Sequence, residues 1–176
     1  ENTLRQINRL CALRGIYHFS EEAYEYFTYA DVLHFSPGSI HGAYRHTISF
    51  FSLSKSFGFA GWRVGYVVLT EHLLLSMRKV QDTNLICAAM PSQYAAIGAL
   101  RAGYAYTAKW MPDLRRVRDT VLMRLAELGS RVSVVETSGA FYAFARINDT
   151  QMSDLELVRW LVEVHQVAVV PGSAFG

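Results

Sequence analysis

One stretch of fifteen residues constrains this chain more than any other: Ser52-Leu53-Ser54-Lys55-Ser56-Phe57-Gly58-Phe59-Ala60-Gly61-Trp62-Arg63-Val64-Gly65-Tyr66. A single lysine stands among small hydroxyl residues, a glycine-punctuated apolar turn follows, and an arginine comes eight positions after the lysine. A lone cation in apolar company is costly, so burial is expected to keep the Lys55 amine uncharged and free for carbonyl chemistry. Arg63 holds its charge throughout, and its planar fork suits a phosphate. Thr47 to Phe51 and Gly65 to Leu69 read as strands on either side, a strand–loop–strand frame that would hold the lysine on rigid supports. Trp62 reads as core packing beside the glycine turn.

An aldehyde-seeking amine paired with a phosphate-seeking guanidinium points to pyridoxal 5'-phosphate, PLP, held as a Schiff base. The stretch closely resembles the lysine signature of the fold-type-I class I/II aminotransferases, the aspartate-aminotransferase-like PLP enzymes. That signature reads Ser-x-Ser-Lys, a glycine-bearing turn, then Gly-x-Arg-x-Gly-Tyr. Ser52, Ser54, Lys55, Gly61, Arg63, Gly65 and Tyr66 occupy its defined positions. The resemblance implies a Schiff base on Lys55 and a phosphate anchored by Arg63, Ser52 and Ser54. Upstream, the family carries Asp-x-x-Tyr, its aspartate pairing with the ring nitrogen and its tyrosine bonding the ring hydroxyl. Tyr24 matches, while Glu21 stands one methylene longer than the aspartate. Glu21 and Glu22 also suit the opening turn of a helix, where acidic groups complement the dipole, and Glu22 is assigned that role.

By resemblance, the fold class is α/β: the C-terminal part of the mixed-sheet large domain of the type I PLP-transferase fold, residues 1–105, then part of an α+β small domain, residues 106–176. The implied function is transfer of an amino group between an amino acid and a 2-oxo acid. Two other readings share the same residues: a PLP-dependent carbon–sulfur lyase, and a non-catalytic PLP-binding module serving regulation or dimerisation. Family members are longer. Upstream they carry a phosphate-cradling loop, a ring-stacking aromatic and an Asn-Pro-x-Gly segment; downstream they carry an arginine for the substrate α-carboxylate. A partial chain lacking both flanks, inactive alone, is therefore expected; full activity at an intact mass near 19.9 kDa would contradict this.

Composition narrows the partners. Hydrophobic residues make up 51% of the chain and charged ones only 18%, against roughly a quarter charged in ordinary domains. So low a charge fraction suggests surface covered by further chain or a partner subunit, and a homodimer is the family expectation. Seventeen basic against fifteen acidic residues leave +2, no electrostatic case for nucleic acid or an anionic membrane. The two cysteines, Cys11 and Cys87, form no CxxC pair and fit a reduced, cytoplasmic protein. His34, His41 and His46 lack a metal-binding spacing and read as solvated or hydrogen-bonded loop residues, so no metal is expected.

Periodicity supplies the remaining elements. Leu4, Ile7 and Cys11 mark a first helix ending at Gly15, and Ile16 to Phe19 reads as a buried strand. Residues 31–44 read as loop. Leu73, Leu74, Met77 and Val80 mark a second helix, with Thr70 as cap. Pro91 opens a helix rich in small residues, Ala95, Ala96, Gly98 and Ala99, which allows close approach of a neighbour. Leu114 to Leu128 traces a long helix in which Pro112 predicts a kink or a fresh start near Met111, with Arg115, Arg116, Arg118 and Arg124 on a solvated face. Val132 to Val135, Phe141 to Ala145 and Val167 to Val170 read as strands. Ser153-x-x-Glu156 forms a capping box for the helix between the last two.

Overall fold

The structure, a computed structural model, describes residues Glu1–Gly176. They form two compact units, Glu1–Asp119 with Glu136–Tyr142, and Thr120–Val135 with Ala143–Gly176. No helix is long and apolar enough to cross a membrane.

The first unit opens with α1, Asn2–Arg14, which stops where Gly15 turns left-handed at φ 62° and Ile16 N–H bonds back to the Cys11 carbonyl. β1 spans His18–Glu21 and β2 spans Thr47–Ser52, paired in parallel with Glu21 opposite Phe50. The four-residue helix α2, Leu53–Ser56, follows β2 without a break. β3, Gly65–Val68, returns antiparallel to β2, with Gly65 opposite Ser52 and Tyr66 opposite Phe51. The sheet order β1-β2-β3 makes β2 the central strand. The helices α3, Glu71–Asn84, α4, Met90–Ala102, and α5, Tyr104–Thr107, follow. α6, Met111–Ala126, makes a fresh start with Pro112 in its first turn, rather than a kink.

The core forms where α4 meets α2. Leu53, Phe57 and Ala96 are buried together, with Tyr26, Phe59, Val64 and Ala99 packed around them. Ala96 and Ala99 bring α4 close against the lysine-bearing turn, the approach its small residues allow. Across β2 and β3 the Phe51 and Tyr66 rings stack at 4.7 Å and 9°, a pairing of about 0.5–1.5 kcal/mol beyond area burial.

β1 departs from its apolar reading. It starts two residues late, and Ile16, Tyr17 and Phe19 are all exposed, Phe19 at 66%. His18 is the residue turned inward. The reason is a buried polar network in which Asn8 Nδ2 donates to Thr47 Oγ1 at 2.8 Å and meets His18 Nδ1 at 3.0 Å. Asn8 is therefore only 3% exposed while Ile7, on the expected apolar stripe, is exposed. Thr70 does not cap α3 through its side chain; its hydroxyl meets His72 Nδ1 instead. Trp62 is half-exposed against Phe59 rather than in the core.

In the second unit β4, Val132–Val134, pairs antiparallel with β5, Ala145–Ile147. The strand expected over Phe141 to Ala145 thus begins at its last residue, because Phe141 and Tyr142 are drawn to the first unit. Val167 to Val170 forms no strand. α7, Asp154–His165, carries the capping box, Ser153 and Glu156 bonding reciprocally. Asp154 accepts the Ser173 N–H at 2.7 Å and the rings of Phe144 and Phe175 meet edge to face.

Gly65 is the tightest point of the sheet, since a Cβ there would stand 2.5 Å from the Phe51 carbonyl oxygen. Gly65→Ala must push β3 from β2, so a loss of about 1–3 kcal/mol is expected, read as a lower denaturant midpoint at unchanged slope.

Candidate functional site

The parallel pairing of β1 with β2 brings their carboxyl ends side by side, and the antiparallel return places the start of β3 at the same end. Ligand groups gather beyond the carboxyl ends of strands in such sheets. Glu21 closes β1, Ser52 closes β2, Ser54 and Lys55 stand on α2, and Arg63 lies two residues before β3. Tyr24 sits in the turn directly after β1. All six candidate residues therefore belong to one end of one sheet.

Ser52 caps α2, its Oγ accepting the Ser54 N–H at 3.2 Å, which leaves its own O–H to donate elsewhere. Lys55 is exposed rather than buried. On a helix this short the inward positions go to Leu53 and Ser56, which leaves the amine outside. Arg63 is exposed, and its Nη1 donates to the Ala60 carbonyl at 2.7 Å. Its backbone is left-handed, φ 52° and ψ 49°, a conformation costing an ordinary side chain roughly 1–2 kcal/mol. Such strain persists where the surroundings impose it.

Glu21 is exposed, and its charge, with burial and the Tyr142 hydroxyl ahead of it in effect, pushes the Tyr24 phenol up to about 12. The Tyr24 and Tyr142 hydroxyls are hydrogen-bonded to each other. Tyr142 escapes sequence reasoning because it lies 118 positions from Tyr24.

Glu22 does not open a helix. The chain after β1 runs through turns, and the Glu22 carboxylate is buried, accepting from His34 Nε2 and Ser36 Oγ, each at 2.6 Å. Burial pushes this carboxyl up, but hydrogen bonds from His34, Ser36 and Ser20, with the His34 charge, outweigh it and hold the group below its usual range. The hydrogen bond to Glu22 raises His34 against its partial burial, helped by the charges of Glu22 and Glu25. His46 likewise bonds Asn8. No group of three or more His, Cys, Asp or Glu is placed to hold a metal ion.

Because His34 is raised by folding, its contribution is complete below its unfolded pKa of about 6.5 and is lost as pH rises through the folded value. Glu22, lowered by folding, contributes above its unfolded value and loses it as pH falls through the folded one. The pair stabilises most between these limits. His34→Gln is expected to cost most stability near pH 6 and progressively less on the alkaline side, measured as unfolding free energy across pH.

Comparison with known proteins bears on this site. A family model described as aminotransferase class I and II matches residues 1–176. An aspartate aminotransferase of Pyrococcus abyssi is 40% identical over 159 residues, covering 89% of this chain and 40% of the relative. An aromatic aminotransferase of Arabidopsis thaliana is 35% identical over the whole chain and 44% of its own length. Among solved structures, an aromatic aminotransferase from Pyrococcus horikoshii superposes with a TM-score of 0.93 at 34% identity, over 100% of this chain and 47% of that one. Thermus thermophilus aspartate aminotransferase with maleate gives 0.90 at 31% identity, over 99% and 45%. The chain spans under half the length of the relatives it matches.

Proposed function

Since the chain belongs to the class I and II aminotransferase family, we propose that the protein is a PLP-dependent aminotransferase moving an amino group between an amino acid and a 2-oxo acid. The observation that carries this reading is the gathering of an amine, a guanidinium, two hydroxyls, a carboxylate and a phenol at one sheet end. That donor set fits the cofactor: the amine matches its aldehyde, the cation and hydroxyls its phosphate, the carboxylate its ring nitrogen and the phenol its ring oxygen. The aspartate and aromatic aminotransferases named above support transamination over elimination.

When bound, PLP supplies an aldehyde for covalent capture of amines and a ring that withdraws electrons. Lys55, exposed on α2, would be the residue whose Nζ holds that aldehyde, and its amine would be the group to take and return a proton. Arg63 offers the phosphate its fork in a charge-assisted pair, supported by the Ser52 and Ser54 hydroxyls. Glu21, with its longer arm, holds a proton on the ring nitrogen by its negative charge. Tyr24 keeps its own proton and donates it as a hydrogen bond to the ring oxygen. Residues 1–105 serve as the PLP-binding part and 106–176 as part of the small domain.

A homodimer in the cytoplasm completes the reading. Exposed apolar side chains such as Val67, Val68, Leu85 and Ile86 leave surface for a partner subunit or further chain, and both cysteines are free thiols.

The purified full-length protein mixed with PLP is expected to show a visible absorbance band that Lys55→Ala abolishes, and Arg63→Lys is expected to weaken PLP binding roughly tenfold. A folded parent with no such band would overturn the reading. Release of a 2-oxo acid only when an amino acceptor is present separates transamination from elimination.

A further inference from the structure

The segment Glu136–Tyr142 leaves the second unit to join the first, and several independent contacts hold it there. Tyr29 N–H donates to the Ser138 carbonyl and Ala140 N–H to the Phe27 carbonyl, both at 2.9 Å, around a bridge between Thr28 and Gly139. A Cβ at Gly139 would stand 3.2 Å from the Phe27 oxygen, so this approach is close. Arg118 fastens the start of the segment, with Nε on the Thr137 carbonyl at 3.0 Å and Nη2 on Glu136 at 2.6 Å. Its guanidinium also lies 5.1 Å over the Tyr29 ring, and its side chain is only 14% exposed.

What this anchoring delivers is a pair of aromatic rings at Tyr24. Phe141 meets Tyr24 edge to face at 5.3 Å and Phe27 at 5.3 Å, and Tyr142 meets Tyr24 edge to face at 5.4 Å. Phe141 supplies packing alone. Tyr142 adds a hydroxyl bonded to the Tyr24 hydroxyl.

A phenol has one proton to give and lone pairs to accept with. Were Tyr24 to spend its proton on Tyr142, nothing would remain for a ring oxygen. In the opposite arrangement Tyr142 donates into a lone pair of Tyr24, and the Tyr24 O–H points away toward its own acceptor. An anionic oxygen facing Tyr24 selects the second arrangement, and each bond of such a chain polarises the next.

We propose that Tyr142 is a positioning residue for Tyr24, donating to the Tyr24 oxygen so that the Tyr24 O–H is directed at the cofactor's ring oxygen. This rests on the PLP reading above. Burial is the first cause that pushes the Tyr24 phenol up, so the proton it must present stays in place at neutral pH.

The test is a pH titration of the visible band of the PLP-loaded protein in the parent, Tyr142→Phe, Tyr24→Phe, the double variant and Phe141→Leu. Weaker donation to the ring oxygen stabilises its anionic form less, so Tyr142→Phe is expected to raise the band's midpoint by about one pH unit. Tyr24→Phe raises it at least as far, and the double variant matches Tyr24→Phe alone, because Tyr142 acts only through Tyr24. Phe141→Leu, which disturbs packing but keeps both hydroxyls, leaves the midpoint in place. An unmoved midpoint in Tyr142→Phe, additive shifts in the double variant, or an equal shift in Phe141→Leu each overturns the proposal. Should Tyr142→Phe not fold, Tyr142→His, which retains a ring donor, is read instead: a midpoint near the parent's supports the proposal and one matching Tyr24→Phe sinks it. A parent lacking any Lys55-dependent band overturns the PLP reading, and this inference with it.

Discussion

The parallel pairing of β1 with β2 is the constraint on which the rest depends. Parallel strands end at the same edge, and here that edge receives Glu21 from one strand and Ser52, leading to Lys55, from the other. The antiparallel return of β3 then carries Arg63 to the same place. One sheet of three strands thus gathers residues 42 positions apart in sequence, from Glu21 to Arg63. A one-residue slip in either pairing would turn alternate side chains to the opposite face and disperse the group.

Polar side chains, more than apolar burial, fix β1 in this register. At its start, Asn8 ties His18 to Thr47; just past its end, Glu22 is tied to His34 and Ser36. Between them Phe19 is left exposed. Buried hydrogen bonds contribute modestly when made but cost about 1–3 kcal/mol when one partner is removed. They are poor glue and good alignment, and they hold a strand that ends at the exposed carboxylate of Glu21. The core of Leu53, Phe57 and Ala96 does the complementary work under α2.

The lysine stretch, the long helices, the capping box and the helix start at Met111 were legible in the sequence because each is a local pattern, carried by spacing or by a single residue's chemistry. What escaped depended on distance. Glu22 looked like a helix opener until His34 and Ser36, twelve and fourteen positions on, came to rest against it. Asn8 broke an apolar stripe because its partner Thr47 is 39 positions away. Lys55 looked buried because an apolar turn follows it in sequence, yet α2 turns Leu53 and Ser56 inward and leaves the amine exposed. Val167 to Val170 has the composition of a strand but no partner strand pairs with it, and without a ladder composition is insufficient.

The left-handed backbone of Arg63 carries an evolutionary consequence. Glycine would occupy φ 52°, ψ 49° without steric penalty, so selection for foldedness alone would drive this position toward glycine. Arg63 instead sets a cation at this point of the turn and carries the strain of the left-handed backbone. The rest of the chain must hold a reserve large enough to cover that difference, and laboratory evolution under heat would reveal it by discarding Arg63 early once the demand for its charge is lifted.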